Sequence, residues 1–163
     1  MPATRARDAL TKLILEVFRL NGDLLAAGDD LLRDLGQSSS RWQVLGAIAE
    51  REDTVSGIAR VMGLTRQSVQ RTADILAAGG LVEYVDNPAH RRAKLIRLTN
   101  RGRELLDQID PRQAKWADAL IKELRLDVAE IEQSLELLLR LRSLLEGQTT
   151  PESHEARRER RRR

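Results

Sequence analysis

The chain has 163 residues, of which 33% are charged and 2% aromatic, and its formal net charge is +3. A chain of this length can bury one proper core, and this composition is typical of a helical cytoplasmic protein. There is no cysteine, which excludes thiol redox sensing. The N-terminus lacks an apolar signal core, and Arg140 and Arg142 interrupt the leucine-rich end. The sequence therefore predicts neither secretion nor membrane insertion.

The first 36 residues carry an apolar stripe at the spacing of one helical face. Its members are Leu10, Leu13, Val17, Leu20, Leu24 and Leu31. Gly22 and Gly28 are expected to weaken or bend this helix, because glycine is a poor helix former. Taken alone, the stripe is typical of an ordinary intramolecular bundle.

From Asp53 to Arg103 the pattern predicts a helix, a turn, a second helix, a strand, a basic loop and another strand. This order is typical of a winged helix-turn-helix unit. The first helix is predicted over 56–62, and Gly63 ends it where a sharp turn favours positive φ. Thr65 is predicted to cap the second helix with its hydroxyl.

The second helix has one apolar and one polar face. Val69, Thr72, Ala73 and Leu76 predict the buried side. The opposite side carries Gln67, Gln70, Arg71 and Asp74, next to Arg66 and Ser68. Glutamine and arginine can form paired hydrogen bonds with adenine and guanine edges in the major groove. By itself the pattern is equally typical of a solvated polar face, since most amphipathic helices have one.

Two β-prone runs follow the second helix, which Gly79 and Gly80 are predicted to end. The runs are 81–85 and 95–99, and the second places Ile96 and Leu98 on one face and Arg97 on the other. Residues 86–94 between them are too many for a tight hairpin and predict an extended loop, or wing.

Positive charge is concentrated in this unit. Residues 54–103 contain nine lysines and arginines against three acidic residues, whereas the whole chain is only +3. Basic charge on a helix and its wing releases counterions from DNA and provides sequence-independent affinity. The alternative for Arg91 and Arg92 is a solvated loop.

The C-terminal part predicts two further helices and a tail. A helical stretch over 101–124 contains Pro111, which is expected to begin or kink a segment. Asp127 and Glu130 predict a new helix start. An apolar stripe follows, formed by Val128, Ile131, Leu135, Leu138, Leu141 and Leu145. Residues 147–163 contain six arginines and three glutamates and are predicted to be disordered. This tail either adds phosphate contacts or serves only solubility.

The segment from Trp42 to Gly102 resembles the MarR type of bacterial transcription regulator. The resemblance is strongest in the wing, NPAHRRAKLIRLTNRG, and in the helix-turn-helix, SGIARVMGLTRQSVQRTADILAAGG. Similar proteins carry an Asp-Arg-Arg or related triplet at the wing tip, a Leu-Thr pair and a later glycine. Here the triplet is His90, Arg91 and Arg92, and Leu98, Thr99 and Gly102 follow. The resemblance covers the chain up to Gly147.

The resemblance implies a mainly α fold with a small β-wing and a helical dimerisation region from both chain ends. The corresponding division is 1–36 for an N-terminal dimerisation region, 37–103 for the winged helix-turn-helix domain, 104–146 for C-terminal dimerisation helices and 147–163 for the tail. Two copies would then bind half-sites about one helical turn apart, so that the operator is an inverted repeat.

The resemblance also implies roles for individual residues. Arg92 aligns with the last arginine of the triplet and is expected in the minor groove, with Arg91 on a phosphate. His90 stands where many relatives have an acid that pairs with the arginine. Asp86 is a possible replacement partner; otherwise the wing is looser until DNA orders it. A small-molecule effector, often an aromatic acid, is implied at a helix junction where Phe18 and Trp42 could line a pocket, although isolated aromatics are usually core residues.

The sequence thus predicts a dimeric regulator, most simply a repressor, that binds double-stranded DNA in the cytoplasm and is released by a small molecule. The predicted DNA-binding residues are Thr65, Arg66, Gln67, Ser68, Gln70, Arg71, Arg91, Arg92 and Lys94. No cofactor, metal site, membrane contact or enzyme activity is predicted, since His90 and His154 lie in a loop and a tail. The rival is a winged-helix module that binds protein, which would more often carry apolar residues on the second helix.

Overall fold

The computed structural model describes residues 2–90 and 92–148, which form two compact units, 1–114 and 115–163. The predictions made for Arg91 and for residues 149–163 lie outside the described residues. Helices and a small sheet make up the fold, as predicted. None of the helices in the described part of the chain is long and apolar enough to span a membrane.

The first helix, α1 (Pro2–Leu32), continues through both of its glycines. Gly28 has a packing role, because a Cβ there would overlap the Oγ of Ser39. The Ser39 hydroxyl instead donates to the carbonyl of Leu25 at 2.6 Å and joins α1 to the next helix. A short 3-10 turn, Arg33–Leu35, then leads to α2 (Ser39–Ala47).

The helix-turn-helix consists of α3 (Val55–Met62) and α4 (Arg66–Ala78). Thr54 caps α3 by accepting from the amide of Gly57, and Thr65 caps α4 by accepting from the amide of Ser68. Gly63 has φ +65°, so the predicted turn glycine is confirmed. We refer to α4 as the recognition helix.

The sheet has three antiparallel strands in the order β1-β3-β2. These are β1 (Asp53–Thr54), β2 (Val82–Val85) and β3 (Leu95–Leu98). The two predicted runs are confirmed as β2 and β3, in register Val82 with Leu98. The sequence gives no periodic signal for β1, because two residues are too few to show alternation.

One hydrophobic core joins these elements. It contains Val69, Ala73 and Leu76 of the predicted face of α4, and Ile96 and Leu98 of the second predicted strand, whereas Thr72 is only half-buried. Its largest fully buried side chains are Leu32, Leu45, Ile58, Leu76, Ile96, Ile109, Val44 and Val69. The core therefore fixes α4 through one face and leaves its polar face exposed.

The last helix to enter this core is α5 (Asn100–Leu124), which continues past Pro111. Pro111 therefore does not begin a segment, and the alternative prediction, a kink, stays a prediction. A proline lacks one backbone donor, but a long helix that is packed at one end can tolerate that loss. At the start of α5, the Thr99 hydroxyl accepts from the amide of Gly102, and a Cβ at Gly102 would overlap the carbonyl oxygen of Leu81.

The second unit, 115–163, contains the end of α5 and the helix α6 (Val128–Gln148). Arg125 follows α5 with φ 53°. Asp127 and Glu130 form reciprocal hydrogen bonds at 3.1 and 2.8 Å, each side chain accepting from the other residue's amide. The predicted helix start is thus confirmed as a capping box.

Candidate nucleic-acid interface

The recognition helix exposes the residues that the sequence predicts for DNA contact. Arg66, Gln67, Ser68, Gln70 and Arg71 are all exposed, while Val69 between them is fully buried. Thr65 is also exposed, but its hydroxyl already accepts from the backbone of α4. A capping residue of this kind satisfies a free amide in the first turn of the helix.

A cleft lies between the recognition helix and the wing. From α4 it is lined by Arg66, Gln67 and Gln70; from the wing by Arg92, Ala93 and Lys94; and from the start of α3 by Thr54, Val55 and Ser56. Five predicted DNA-binding residues thus surround one space. Thr65, Ser68 and Arg71 do not line it. The residues at the start of α3 were missed by the sequence analysis, although the capping threonine before an apolar helix is a usable signal.

The cleft is positively charged. Arg66, Arg92 and Lys94 line it without a carboxylate beside them. Over residues 2–90 and 92–148 none of these three cations forms an ion pair. Arg97 differs, because its guanidinium binds Glu83 across the sheet at 2.9 Å. The cleft therefore offers unpaired positive charge to an anion, whereas the neighbouring surface of the sheet does not.

The wing loop is ordered by Asn87 rather than by an acidic residue. Its side-chain oxygen accepts from the amides of Ala89 and His90 at 3.0 and 3.3 Å. The amide of Ala93 donates to the carbonyl of His90 at 3.0 Å. Among the described residues no ion pair joins Asp86 to Arg92. The predicted role of Asp86 stays a prediction, and the bonds given for this loop are the local ones of Asn87 and His90.

A hydrogen-bonded triad connects the recognition helix to β2. The side-chain amide nitrogen of Gln70, Nε2, donates to the carboxylate of Asp74 at 2.9 Å and to the hydroxyl of Tyr84 at 2.8 Å. The Tyr84 hydroxyl in turn donates to Asp74 at 2.7 Å. Partial burial and then the bond to the Asp74 carboxylate raise the pKa of Tyr84 to about 12. Tyr84 was not predicted from the sequence, although alternation along β2 puts it on the face opposite Glu83.

A second cavity, of about 490 Å³, lies within the first unit at the other end of the recognition helix. This volume is within the range of small-molecule sites. Its apolar lining comes from Leu35, Ile75, Leu76, Leu81 and Leu105, and its polar lining from Gln37, Arg41, Arg101, Glu104 and Gln108. The side-chain oxygen of Gln37 is buried without a hydrogen-bond partner. We call this space the helix-end pocket.

The two aromatic residues predicted to bind a ligand do not line the helix-end pocket. Phe18 is 72% exposed on α1, and Trp42 is half-buried against the core. Their predicted role stays a prediction. No cluster of three metal-ligating side chains is found within residues 2–90 and 92–148.

The comparisons with known proteins agree with this geometry. The model of the MarR family matches residues 35–93, which run from the end of the first helices to the wing. An uncharacterised protein of Mycobacterium tuberculosis is 40% identical over 105 residues, which are 64% of this chain and 73% of that protein. This chain belongs to the MarR family. The resemblance stated from the wing and helix-turn-helix motifs is confirmed.

Solved structures of MarR-family regulators share the fold of this protein. A MarR/EmrR regulator from Acinetobacter sp. ADP1 has a TM-score of 0.75 at 21% identity and covers 84% of this chain and 96% of its own. CouR from Rhodococcus jostii RHA1, solved with p-coumaroyl-CoA, has a TM-score of 0.68 at 26% identity and covers 80% and 91%. This protein therefore has the winged-helix fold and the domain of a transcription regulator.

Proposed function

We propose that this protein is a dimeric repressor that binds an inverted-repeat operator in double-stranded DNA. The observation that carries the proposal is the cleft. Its cations are Arg66, Arg92 and Lys94, which form no ion pair among the described residues, and its glutamines are Gln67 and Gln70 on the exposed face of α4. Phosphates attract the cations, and glutamine side chains hydrogen-bond base edges. The polar face of α4 also disfavours the rival function, because a protein-binding module would present apolar residues there.

In this proposal each element has a separate task. The recognition helix enters the major groove, where Gln67, Gln70 and Arg71 contact bases. The wing places Arg92 in the adjacent minor groove, whose narrow parts concentrate negative potential, and Lys94 on a phosphate. The amides of Val55 and Ser56 at the start of α3 are available to a phosphate, as is usual at a helix N-terminus.

The test is a footprint of the purified protein on its own upstream region, followed by titration of the protected site. We expect Arg92→Ala to weaken binding and to reduce the slope of log affinity against log salt by about one for each half-site, hence by about two for the dimer. Arg97→Ala also removes one arginine charge, but from β3 and from an ion pair outside the cleft, and is the matched control. Equal losses for both variants would mean that charge alone matters. Failure of the wild type to protect any site would overturn the proposal.

Exposed apolar side chains support the dimer. On α1 they include Leu10, Ile14, Leu15, Val17, Phe18, Leu20 and Leu24, and on α6 they include Ile131, Leu135, Leu138 and Leu145. Apolar stripes of this length are rarely left in water and usually mark an interface. A second copy that covers them would pair two recognition helices around a two-fold axis. Such a dimer on a promoter excludes polymerase.

We place the effector of this proposal in the helix-end pocket. Arg41 and Arg101 would bind a carboxylate, the partnerless oxygen of Gln37 would accept from a hydroxyl, and the apolar lining would cover an aromatic ring. Ile75 and Gly79, at the end of the recognition helix, also line the pocket. An occupant that favours another position of α4 therefore weakens operator binding by its differential affinity.

Calorimetric titration with 4-hydroxybenzoate, benzoate and phenol tests this effector site. We expect the hydroxyacid to bind most tightly, Arg101→Gln to abolish the difference between the acid and phenol, and operator affinity to fall in its presence. Arg33→Gln is the control, because Arg33 is exposed nearby but does not line the pocket. If neither acid binds better than phenol, the pocket does not hold an anionic effector.

A further inference from the structure

The triad of Gln70, Asp74 and Tyr84 fixes which end of the Gln70 amide faces outward. A carboxylate can only accept hydrogen bonds, so the group that Gln70 turns toward Asp74 must be its amino group. Tyr84 supports the same orientation, since its own proton goes to Asp74 and its oxygen accepts from Gln70. The carbonyl oxygen of Gln70 is therefore the end of the amide left for other partners.

The triad is anchored at both ends. Asp74 lies one helical turn after Gln70 on the recognition helix, and Tyr84 packs its ring against the core from β2. A lone exposed glutamine exchanges rotamers freely, and ordering it on DNA costs entropy. Here two neighbours already hold the side chain beside the cleft that Gln70 lines.

We propose that Asp74 and Tyr84 are positioning residues that make Gln70 a hydrogen-bond acceptor toward DNA, so that it selects a base with an exocyclic amino group in the major groove. Those bases are cytosine, through N4, and adenine, through N6; guanine O6 and thymine O4 are acceptors and are disfavoured. The inference rests on the proposed function. A free glutamine is expected to form two hydrogen bonds with adenine, one through its oxygen and one through its amino group. Gln70 presents only its oxygen, so the contact that we propose is a single hydrogen bond.

Substituted operators test the proposal. Affinity is measured for all four base pairs at each position of one half-site, and Gln70→Ala identifies the position that Gln70 contacts. For the wild type we expect cytosine or adenine to be favoured there about tenfold, the scale of one hydrogen bond left unmade. Asp74→Ala removes the acceptor that holds the amino group of Gln70, so that either end of the amide can turn outward. That variant should reduce the preference for cytosine or adenine over guanine or thymine.

The control is Glu83→Gln, which lies next to Tyr84 in β2 but binds Arg97 instead. It should change no base preference. Tyr84→Phe should weaken the preference at the Gln70 position and leave the other positions unchanged. If Asp74→Ala keeps the wild-type preference in full, or if the wild type prefers guanine or thymine there, the proposal is overturned while specific DNA binding stands.

A readout without DNA separates the triad from the function. Tyr84 is the only tyrosine of the chain, so the absorbance of tyrosinate reports it alone. We expect ionisation in the folded wild type well above that of a free tyrosine, and at lower pH in Asp74→Asn. An ordinary titration of Tyr84 in the wild type would overturn the triad. If the pKa of Tyr84 is raised but the protein binds every oligonucleotide equally, the proposed function is rejected, and the inference is rejected with it.

Discussion

Packing at position 102 leaves room for the hydrogen atom of glycine but not for a Cβ. The residue is buried in the first turn of α5, where a Cβ would overlap the Leu81 carbonyl oxygen. Backbone atoms cannot move aside as a flexible side chain can. We therefore expect Gly102→Ala to lower the free energy of unfolding by about 1 to 3 kcal/mol, as overpacking does. Urea unfolding followed by circular dichroism measures this.

The matched control is Gly46→Ala in α2. No atom lies within 4 Å of a Cβ built there, and Gly46 is an exposed helical residue. Alanine should raise the stability by up to about 1 kcal/mol, since it is the better helix former. Equal effects of the two substitutions would show that the contact with Leu81 carries no cost.

Tyr84 makes the stability depend on alkaline pH. Burial and the Asp74 carboxylate raise its pKa to about 12 in the folded protein, whereas an unfolded tyrosine ionises near pH ~10. A raised folded pKa means that the folded state holds the proton more tightly. The stabilisation is therefore complete below the unfolded value and is lost as the pH rises toward the folded one.

We expect the urea midpoint of the wild type to fall more steeply than that of Tyr84→Phe between about pH 10 and about pH 12, which are the unfolded and folded pKa values. The phenylalanine variant keeps the ring but has no proton to lose. Parallel curves for the two proteins would mean that Tyr84 ionises equally in the folded and unfolded states.

At the scale of elements, Thr99 joins the sheet to α5. Its hydroxyl donates to the carbonyl of Gly80 at 2.7 Å and accepts from the amide of Gly102 at 3.1 Å. The Thr99 amide also donates to the carbonyl of Leu81. The Leu-Thr pair and the later glycine of the wing motif thus have one physical explanation: they close β3, cap α5 and let it approach β2.

We expect Thr99→Val to cost about 1 to 2 kcal/mol, because it keeps the shape but removes the cap and leaves a helix amide without its partner. Thr11→Val is the control, since the Thr11 hydroxyl binds only the carbonyl four residues earlier on an exposed helix face. Urea unfolding compares the two. A loss at Thr99 no larger than at Thr11 would contradict the role of the cap.

At the scale of the whole molecule, the proposed dimer depends on the exposed apolar residues of α1 and α6. Leu20 is 51% exposed and Leu135 is 52% exposed in the single chain. A charge at either position would have to be buried in a dimer interface, which costs several kcal/mol. We expect Leu20→Glu and Leu135→Glu to convert a dimer into monomers in sedimentation velocity at micromolar concentration.

Val61→Glu is the control for this experiment, because Val61 is 59% exposed but lies on α3. It should leave the sedimentation coefficient unchanged. A wild-type protein that sediments as a monomer would contradict the dimer, and so would a dimer that tolerates both glutamates.

The sequence by itself determined the elements whose signals are local. Periodic apolar residues gave α4 its buried face, Gly63 and Thr65 gave the turn its ends, and Asp127 with Glu130 gave α6 its start. The MarR family was also evident at this level, because turn, wing and closing motifs occupy fixed spacings in the chain. Five residues of the cleft were named for the same reason, since exposure on a helix face and a basic loop are local properties.

Only the tertiary structure decided what depends on contacts between distant residues. In the structure β1 pairs with β3, and α1 continues through Gly28, which packs against Ser39. Gln70 of α4 forms a hydrogen bond with Tyr84 of β2. No periodicity encodes these contacts, because each partner is fixed by how the elements pack. For that reason Gln70 was recognisable from the sequence as a polar residue on the recognition helix, whereas the direction of its amide followed from the fold.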